Sequence, residues 1–487
     1  MSESIKQKSL VGVGWSAIER FSVQGVNFLI QLVLARLLTP TDYGVVGMLA
    51  IFMQVAQTFI DSGFANALIQ KKDCTQKDYS TVFYFNLGIS SIIYILFFFV
   101  SPFVANFYRT EILTDVMRVL SLTLVINALS IVQKTILIKK VDFKTQSAVS
   151  LLSAFISGTT GIIMAYRGYG VWALCGQQIV NSICQFVFLQ IFVRWRPSLA
   201  FSKESFNTLF FFGSKLLLSR LIHTIYKNLY TIVIGRTFSA ESLGQYNRAE
   251  QFADFPSSNI GEIITRVAYP ILSKIQDEND RLIIVYRTTI RYASLIIFPL
   301  MIGLLVLAKP LILLLLTEKW EGIIILLQIL CLDFMLSHIS TLNLNILYVK
   351  GRSDLALKLE IIKKTIAIII LVLSIPFGVI GMCWGKVVYG VIATVLNTTF
   401  TKRLVGLSFF TQCKDFMPYM FMAAGMGIVV FLTTLLNIPN ILQLIIGFLA
   451  GVSVYLLLLY IFDRTTLKEV ITMAKENVIL PLKNKTR

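Results

Sequence analysis

ARLLTPTDYG, residues 35–44, closes one long apolar run and opens the next. Two hundred residues later GRTFSAESLG, residues 235–244, has the same shape, with Arg36 matched by Arg236 and Gly44 by Gly244. At that offset the first two apolar runs of each half align without a gap. Arg20 meets Arg220, Leu29 meets Leu229, Val33 meets Val233, Phe52 meets Phe252 and Ile60 meets Ile260. Two apolar sequences share nearly as many identities by chance, so the arginines carry the weight. A guanidinium at a helix centre costs about 2.5–3.5 kcal/mol on insertion scales, and its recurrence at one depth in both halves points to an internal duplication.

The rest of the chain supplies the medium in which such a repeat makes sense. Of 487 residues 56% are hydrophobic and only 14% charged, with mean hydropathy +0.75, well outside the range of soluble domains. About fourteen apolar runs of roughly 20 residues, each long enough to cross about 30 Å of hydrocarbon, are joined by short polar breaks. The first follows MSESIKQK, is longer than a signal h-region and lacks a small-residue cleavage site, so it reads as an uncleaved helix. The six cysteines show neither CxxC nor metal-ligand spacing, and no metal or cofactor is expected. The net charge of +18 is dispersed among apolar spans, which argues against nucleic acid as a partner.

The basic residues instead report orientation. Outside the spans they fall mostly at alternate helix ends, as in Lys71, Lys72, Lys139, Lys140, Arg287, Arg291, Lys363 and Lys364; the opposite ends hold only Arg36, Arg109, Arg167, Arg236, Arg248, Lys309 and Lys319. Because cytoplasmic loops retain Lys and Arg, both termini are expected in the cytoplasm and the helix number is even. An offset of six helices preserves orientation and makes the halves parallel repeats about the membrane normal. The expected fold is an all-α integral membrane protein: a lobe of six helices over 1–200, a second over 201–403, and two extension helices over 404–463. The basic tail over 464–487 carries Leu467, Val470, Ile471, Ala474 and Val478 at helical spacing. It reads equally as a surface-lying amphipathic helix or a solvated segment.

Polar residues inside the spans form stripes. Arg20, Gln24, Asn27 and Gln31 share one face of the first helix, and Arg220, Thr224, Lys227 and Thr231 repeat the pattern in the seventh. The second and eighth add Gln54, Thr58 and Asp61, and Asp254, Ser258, Glu262 and Arg266. Such stripes are too costly to face lipid. They line either a wet, largely cationic cavity or the seams between helices. Glu262 and Arg266 are also spaced for an i, i+4 ion pair, and His338 reads more simply as a packing residue than as a proton relay.

ARLLTPTDYGVVGMLAIF, with LVGVGWSAIERF upstream and DSGFANALIQKK downstream, resembles the polysaccharide transporter family of the multidrug/oligosaccharidyl-lipid/polysaccharide (MOP) flippase superfamily, and within it the Wzx-type flippases of O-antigen, capsule and exopolysaccharide units. The resemblance implies a MATE-like V-shaped pair of six-helix bundles in a bacterial inner membrane. It also implies alternating access and undecaprenyl-pyrophosphate-linked oligosaccharide as cargo, with polysaccharide polymerase and chain-length machinery as associated partners. The residues fit that cargo: Arg20, Arg220, Lys227 and Arg266 are candidate ligands for the anionic head group, and Gln24, Asn27, Gln31, Gln54 and Asn66 for sugar hydroxyls. Asp61, Glu262 and Asp333 are candidates for ion coupling.

Two other classes are weighed against this. An organic-cation antiporter of the same superfamily would share the fold but favour buried carboxylates and aromatics over cations. A polytopic glycan-processing enzyme would need a sizeable outer loop, whereas LTPTD, YRGYG and NIPN are very short and no nucleophile or metal constellation appears.

Overall fold

The computed structural model describes residues 23–61, 64–71, 73–203, 206, 217 and 220–474; the side chains of a few further residues, Asn66 among them, also lie outside the description. All regular structure among these residues is helical. Nine of the described helices are long and apolar enough to cross a membrane, or ten when the bent pair Leu113–Ala128 and Ile131–Lys139 counts as one span. One of the nine, Ser353–Val405, has 53 residues, about 80 Å at 1.5 Å each, far more than a bilayer's hydrocarbon thickness. A 3-10 turn at Ile375–Phe377 breaks it, and its two arms, Ser353–Ser374 and Gly378–Val405, pack along each other.

The described residues divide into two compact units, 1–247 and 248–487. In the first, α1 (Val23–Leu37) leads across Thr39 into α2 (Pro40–Asp61) and α3 (Phe64–Gln70). Asp42 accepts hydrogen bonds from Thr39 N at 2.9 Å and Thr39 Oγ1 at 2.7 Å, and so organises the entry to α2. Ile30, Leu34 and Leu38 bury one face of α1 against Ala165, Ala173 and Leu174 of the hairpin formed by α8 (Phe143–Tyr166) and α9 (Val171–Val193). Between α3 and that hairpin run α4 (Gln76–Tyr108), opened by a Thr75–Asp78 capping box, and the short helices α5 (Leu113–Leu120), α6 (Leu122–Ala128) and α7 (Ile131–Lys139). The sequence reads 113–138 as one rod. The structure bends it by 43° where Leu129 and Ser130 interrupt the ladder.

The repeated stretch meets its own copy inside this unit. Helix α10 (Leu229–Thr237) leads into α11 (Ala240–Lys274), whose first turns lie against the first turns of α2. A Cβ on Gly44 would collide with the carbonyl of Ala240, and a Cβ on Gly244 with that of Pro40. The duplicated glycines are therefore a reciprocal contact, each the gap into which the other helix start fits.

The second unit holds the remainder of α11 and the helices Asn279–Val306, Ala308–Leu316, Ile323–Phe334 and Ser337–Val349, then the hairpin just described, and Phe409–Thr434 and Asn440–Phe462. Of the tail, Arg464–Ala474 is helical, capped by Asp463, which accepts from Thr466 N at 3.2 Å. Tyr292 donates to Glu469 at 2.8 Å and Tyr419 to Asp463 at 2.7 Å, so this helix is anchored to the bundle.

Candidate functional site

Depth in the apolar bundle makes any polar cluster conspicuous, and the first unit contains one. On α2, Gln54, Thr58 and Asp61 recur at one face with Gln57 beside them. Thr58 Oγ1 donates to the Gln54 carbonyl at 2.7 Å, and Gln57 Nε2 to Asp61 Oδ1 at 2.9 Å. The Gln54 amide oxygen accepts from Asn228 Nδ2 at 3.0 Å, and the same Asn228 amide also donates to the Thr224 carbonyl at 2.8 Å. The polar faces of helices two and seven are thus brought together by a hydrogen bond between residues 174 positions apart. Asp61 lies in the electrostatic field of two cations, Arg220 and Lys134.

The other sequence candidates are placed as follows. Arg20 lies outside the described residues, as does the side chain of Asn66. On α1, Gln24 and Gln31 are half-buried and Asn27 exposed. Arg220 and Lys227 are exposed; Thr231 is buried and reaches Asn247 at 3.4 Å. Sequence reasoning missed Asn228 and Lys134. Asn228 stands one turn beyond Thr224 on the same stripe, a usable signal. Lys134 falls within the apolar run 113–138, off every polar stripe read from the sequence.

In the second unit Arg266 forms the expected local ion pair with Glu262, and both are exposed. Asp333 sits in a different environment. Its carboxylate packs against Gly390, and it shares the field of Lys386 and Glu250, which are themselves ion-paired; the Lys386 ammonium stands 5.6 Å from the Phe334 ring centre. His338 is buried, 3.0 Å from Ser294 and edge-on to Phe298, as a packing residue. The fully buried Asp415 accepts from Arg287 Nε at 2.8 Å and Nη2 at 2.9 Å, and from Arg291 Nη2 at 2.7 Å. Asn343 and Gln412 exchange amide hydrogen bonds at 2.9 and 3.0 Å.

The second unit also carries an apolar groove of about 680 Å³ lined by the second half of Asn279–Val306 and by most of Asn440–Phe462. Leu295, Pro299, Gly303, Gly447, Gly451 and Tyr455 line it, and Leu467 of the tail helix closes one end. Among the described residues no group of three or more His, Cys, Asp or Glu could hold a metal ion.

The geometry has parallels in known proteins. The chain is 28% identical over 399 residues to the lipopolysaccharide biosynthesis protein WzxC of Escherichia coli K12, covering 81% of each chain. It is 27% identical over 463 residues to the teichuronic acid biosynthesis protein TuaB of Bacillus subtilis 168, covering 94% of this chain and 96% of that one. Among solved structures, the inward closed conformation of the lipid II flippase MurJ superposes with a TM-score of 0.74 at 17% identity, over 93% of this chain and 99% of that one. An inward-facing multidrug resistance MATE transporter of the MOP superfamily follows with 0.60 at 16% identity, over 80% and 98%. A family model described as polysaccharide biosynthesis protein matches residues 33–325, most of the chain. The chain belongs to this polysaccharide biosynthesis protein family.

Proposed function

We propose that the protein flips undecaprenyl-pyrophosphate-linked oligosaccharide repeat units across the bacterial cytoplasmic membrane for lipopolysaccharide, capsule or exopolysaccharide synthesis. The observation that carries the reading is the polar face of α2, where Gln57 donates to Asp61 and Gln54 accepts from Asn228, which lies on the polar stripe that bears Arg220 and Lys227. Such a site suits an anionic head group followed by sugars. Phosphate entering a low-dielectric region needs positive charge beside it, and sugar hydroxyls need amide partners, here Gln24, Asn27, Gln31 and Gln54, with Asn66 from the sequence stripe. Arg20, Lys227 and Arg266 complete the proposed set of cations. The apolar groove offers a long hydrocarbon chain a surface of its own kind.

The cargo's anionic end leaves the cytoplasmic side, binds among these residues and is released outside as access alternates. Return is driven by an ion taken up at a carboxylate within the helices. Of Asp61, Glu262 and Asp333, the last is best surrounded for this, because Lys386 and Glu250 leave the trio one carboxylate in excess over ammonium groups. The basic residues at alternate helix ends support cytoplasmic termini, and polymerase and chain-length proteins would receive the flipped unit. An organic-cation exporter is disfavoured, since a drug cation would meet Arg220 and Lys227 where it needs carboxylates.

The reading is tested with purified protein in vesicles containing defined undecaprenyl-diphosphate oligosaccharides, with sugar exposure followed by a glycosidase that cannot cross the bilayer. Protein-dependent exposure of the sugar is expected. Vesicles that export a cationic dye while leaving the glycolipid in place would overturn it.

A further inference from the structure

Two features of the second unit meet on one helix, Asn279–Val306. Arg287 and Arg291, one turn apart, both close on the buried Asp415: Arg287 through Nε at 2.8 Å and Nη2 at 2.9 Å, Arg291 through Nε at 2.9 Å and Nη2 at 2.7 Å. Four donated bonds use up the acceptor sites of one carboxylate. The Nη1 of each guanidinium has no hydrogen-bond partner among the described residues, and both arginines are partly exposed. One arginine is enough to tie this helix to Asp415; the second leaves the cluster with a net positive charge.

The next turn begins the apolar groove. Leu295 stands four residues after Arg291, hence on the same helix face, and it lines the groove together with Pro299, Gly303 and Leu307. Tyr455 donates to the Leu295 carbonyl at 2.9 Å, which fastens Asn440–Phe462 to this helix at the arginine end. A Cβ on Gly303 would meet nothing within 4 Å, so the groove is open at its middle. Leu295 to Leu307 spans about 18 Å at 1.5 Å per residue, a little more than half of a hydrocarbon core roughly 30 Å thick. The groove is therefore as deep as one leaflet, with cations where its lipid head groups begin.

We propose that the second unit holds an anionic phospholipid here, with an acyl chain in the groove and its phosphate on the free Nη1 groups of Arg287 and Arg291. The inference goes beyond the flippase reading and does not depend on it, since the ligand is a lipid of the surrounding bilayer. Guanidinium edges hydrogen-bond phosphate oxygens as charge-assisted pairs, and a phosphate cancels the excess charge of the cluster. The charge rule puts this end of the helix at the cytoplasmic leaflet, whose surface is the negatively charged one. A lipid that binds the folded chain alone also stabilises it by mass action.

The test uses the full chain, purified in detergent, with binding and melting temperature measured against phosphatidylglycerol, phosphatidylcholine and a polyprenyl diphosphate. The wild type is expected to bind phosphatidylglycerol at least tenfold more tightly than phosphatidylcholine and to melt higher in its presence. Arg291→Gln should lower phosphatidylglycerol affinity roughly tenfold, the value of one charge-assisted hydrogen bond, while phosphatidylcholine binding stays unchanged. Gly303→Leu fills the groove and should weaken both phospholipids by a similar factor, leaving their ratio intact. It lies clear of the Asp415 cluster, so it decides the matter even where Arg291→Gln folds poorly. Equal wild-type affinity for the two phospholipids overturns the proposal, as does an unchanged preference in Arg291→Gln or unchanged binding in Gly303→Leu. A polyprenyl diphosphate that displaces phosphatidylglycerol at equal or lower concentration gives the groove to the cargo and also overturns it.

Discussion

Gly44 presents its bare Cα to the carbonyl of Ala240, and two hundred residues along the chain Gly244 does the same to Pro40. The atoms opposite are backbone, which cannot rotate away as a flexible side chain would. Gly44→Ala and Gly244→Ala should each force the two helix starts apart, at about 1–3 kcal/mol for overpacking. Because both glycines serve one seam, the double variant should cost clearly less than the sum of the singles. Thermal unfolding in detergent measures this, and strict additivity would disprove the shared seam.

Asn228 and Gln54 can be separated from their surroundings by a double-mutant cycle. Each alanine variant should weaken glycolipid transport, and the pair should show a coupling of about 0.5–1.5 kcal/mol in stability, the net value of a typical hydrogen bond. A coupling near zero would mean that the two amides are neighbours without being partners.

Asp415 is fully buried under two guanidiniums that are 35% and 46% exposed. Asp415→Asn leaves cations that water can still reach, so its cost should sit below the roughly 3–5 kcal/mol of stranding a buried charge. Removing Arg287 or Arg291 singly should cost less still, because the other remains. Removing both strands the carboxylate and should be the worst of the set. Melting temperatures of the four variants give the order directly.

Asp463 governs the tail helix. Partial burial works against its charged form, but hydrogen bonds from Tyr419, Thr466 and Thr465 outweigh this and hold its carboxyl below the ordinary value of 3.8. A lowered value in the folded state means that its contribution is complete at pH values above the ordinary one and fades only as pH falls through the lowered one. Hydrogen exchange of Arg464–Ala474 should therefore be protected equally at pH 5 and pH 8 after correction for intrinsic rates. Asp463→Ala, which removes the cap, should loosen the helix by about 1 kcal/mol at both.

How far the fold was legible depends on the range over which each cause acts. Apolar runs and stripes are local properties, so the helical membrane architecture and the Glu262–Arg266 pair could be read from spacing. The bend before Ile131 could not, because Leu129 and Ser130 are unremarkable in a helix. The Arg287–Asp415 and Gln54–Asn228 pairs join residues 128 and 174 positions apart, and nothing near either partner names the other.

Composition and hydrophobic period alone determined that this chain lives in a bilayer as packed helices, because the cost of an exposed peptide group in hydrocarbon leaves a sequence this apolar few other solutions. The recurrence of arginines and glycines at one offset added the expectation of an internal repeat. Only tertiary packing decided that the paired glycines touch each other's neighbours, that Asp415 takes two arginines, and that Gln54 meets Asn228. Those outcomes depend on which helix faces meet, and a charge or a missing side chain carries no local record of the surface it will face.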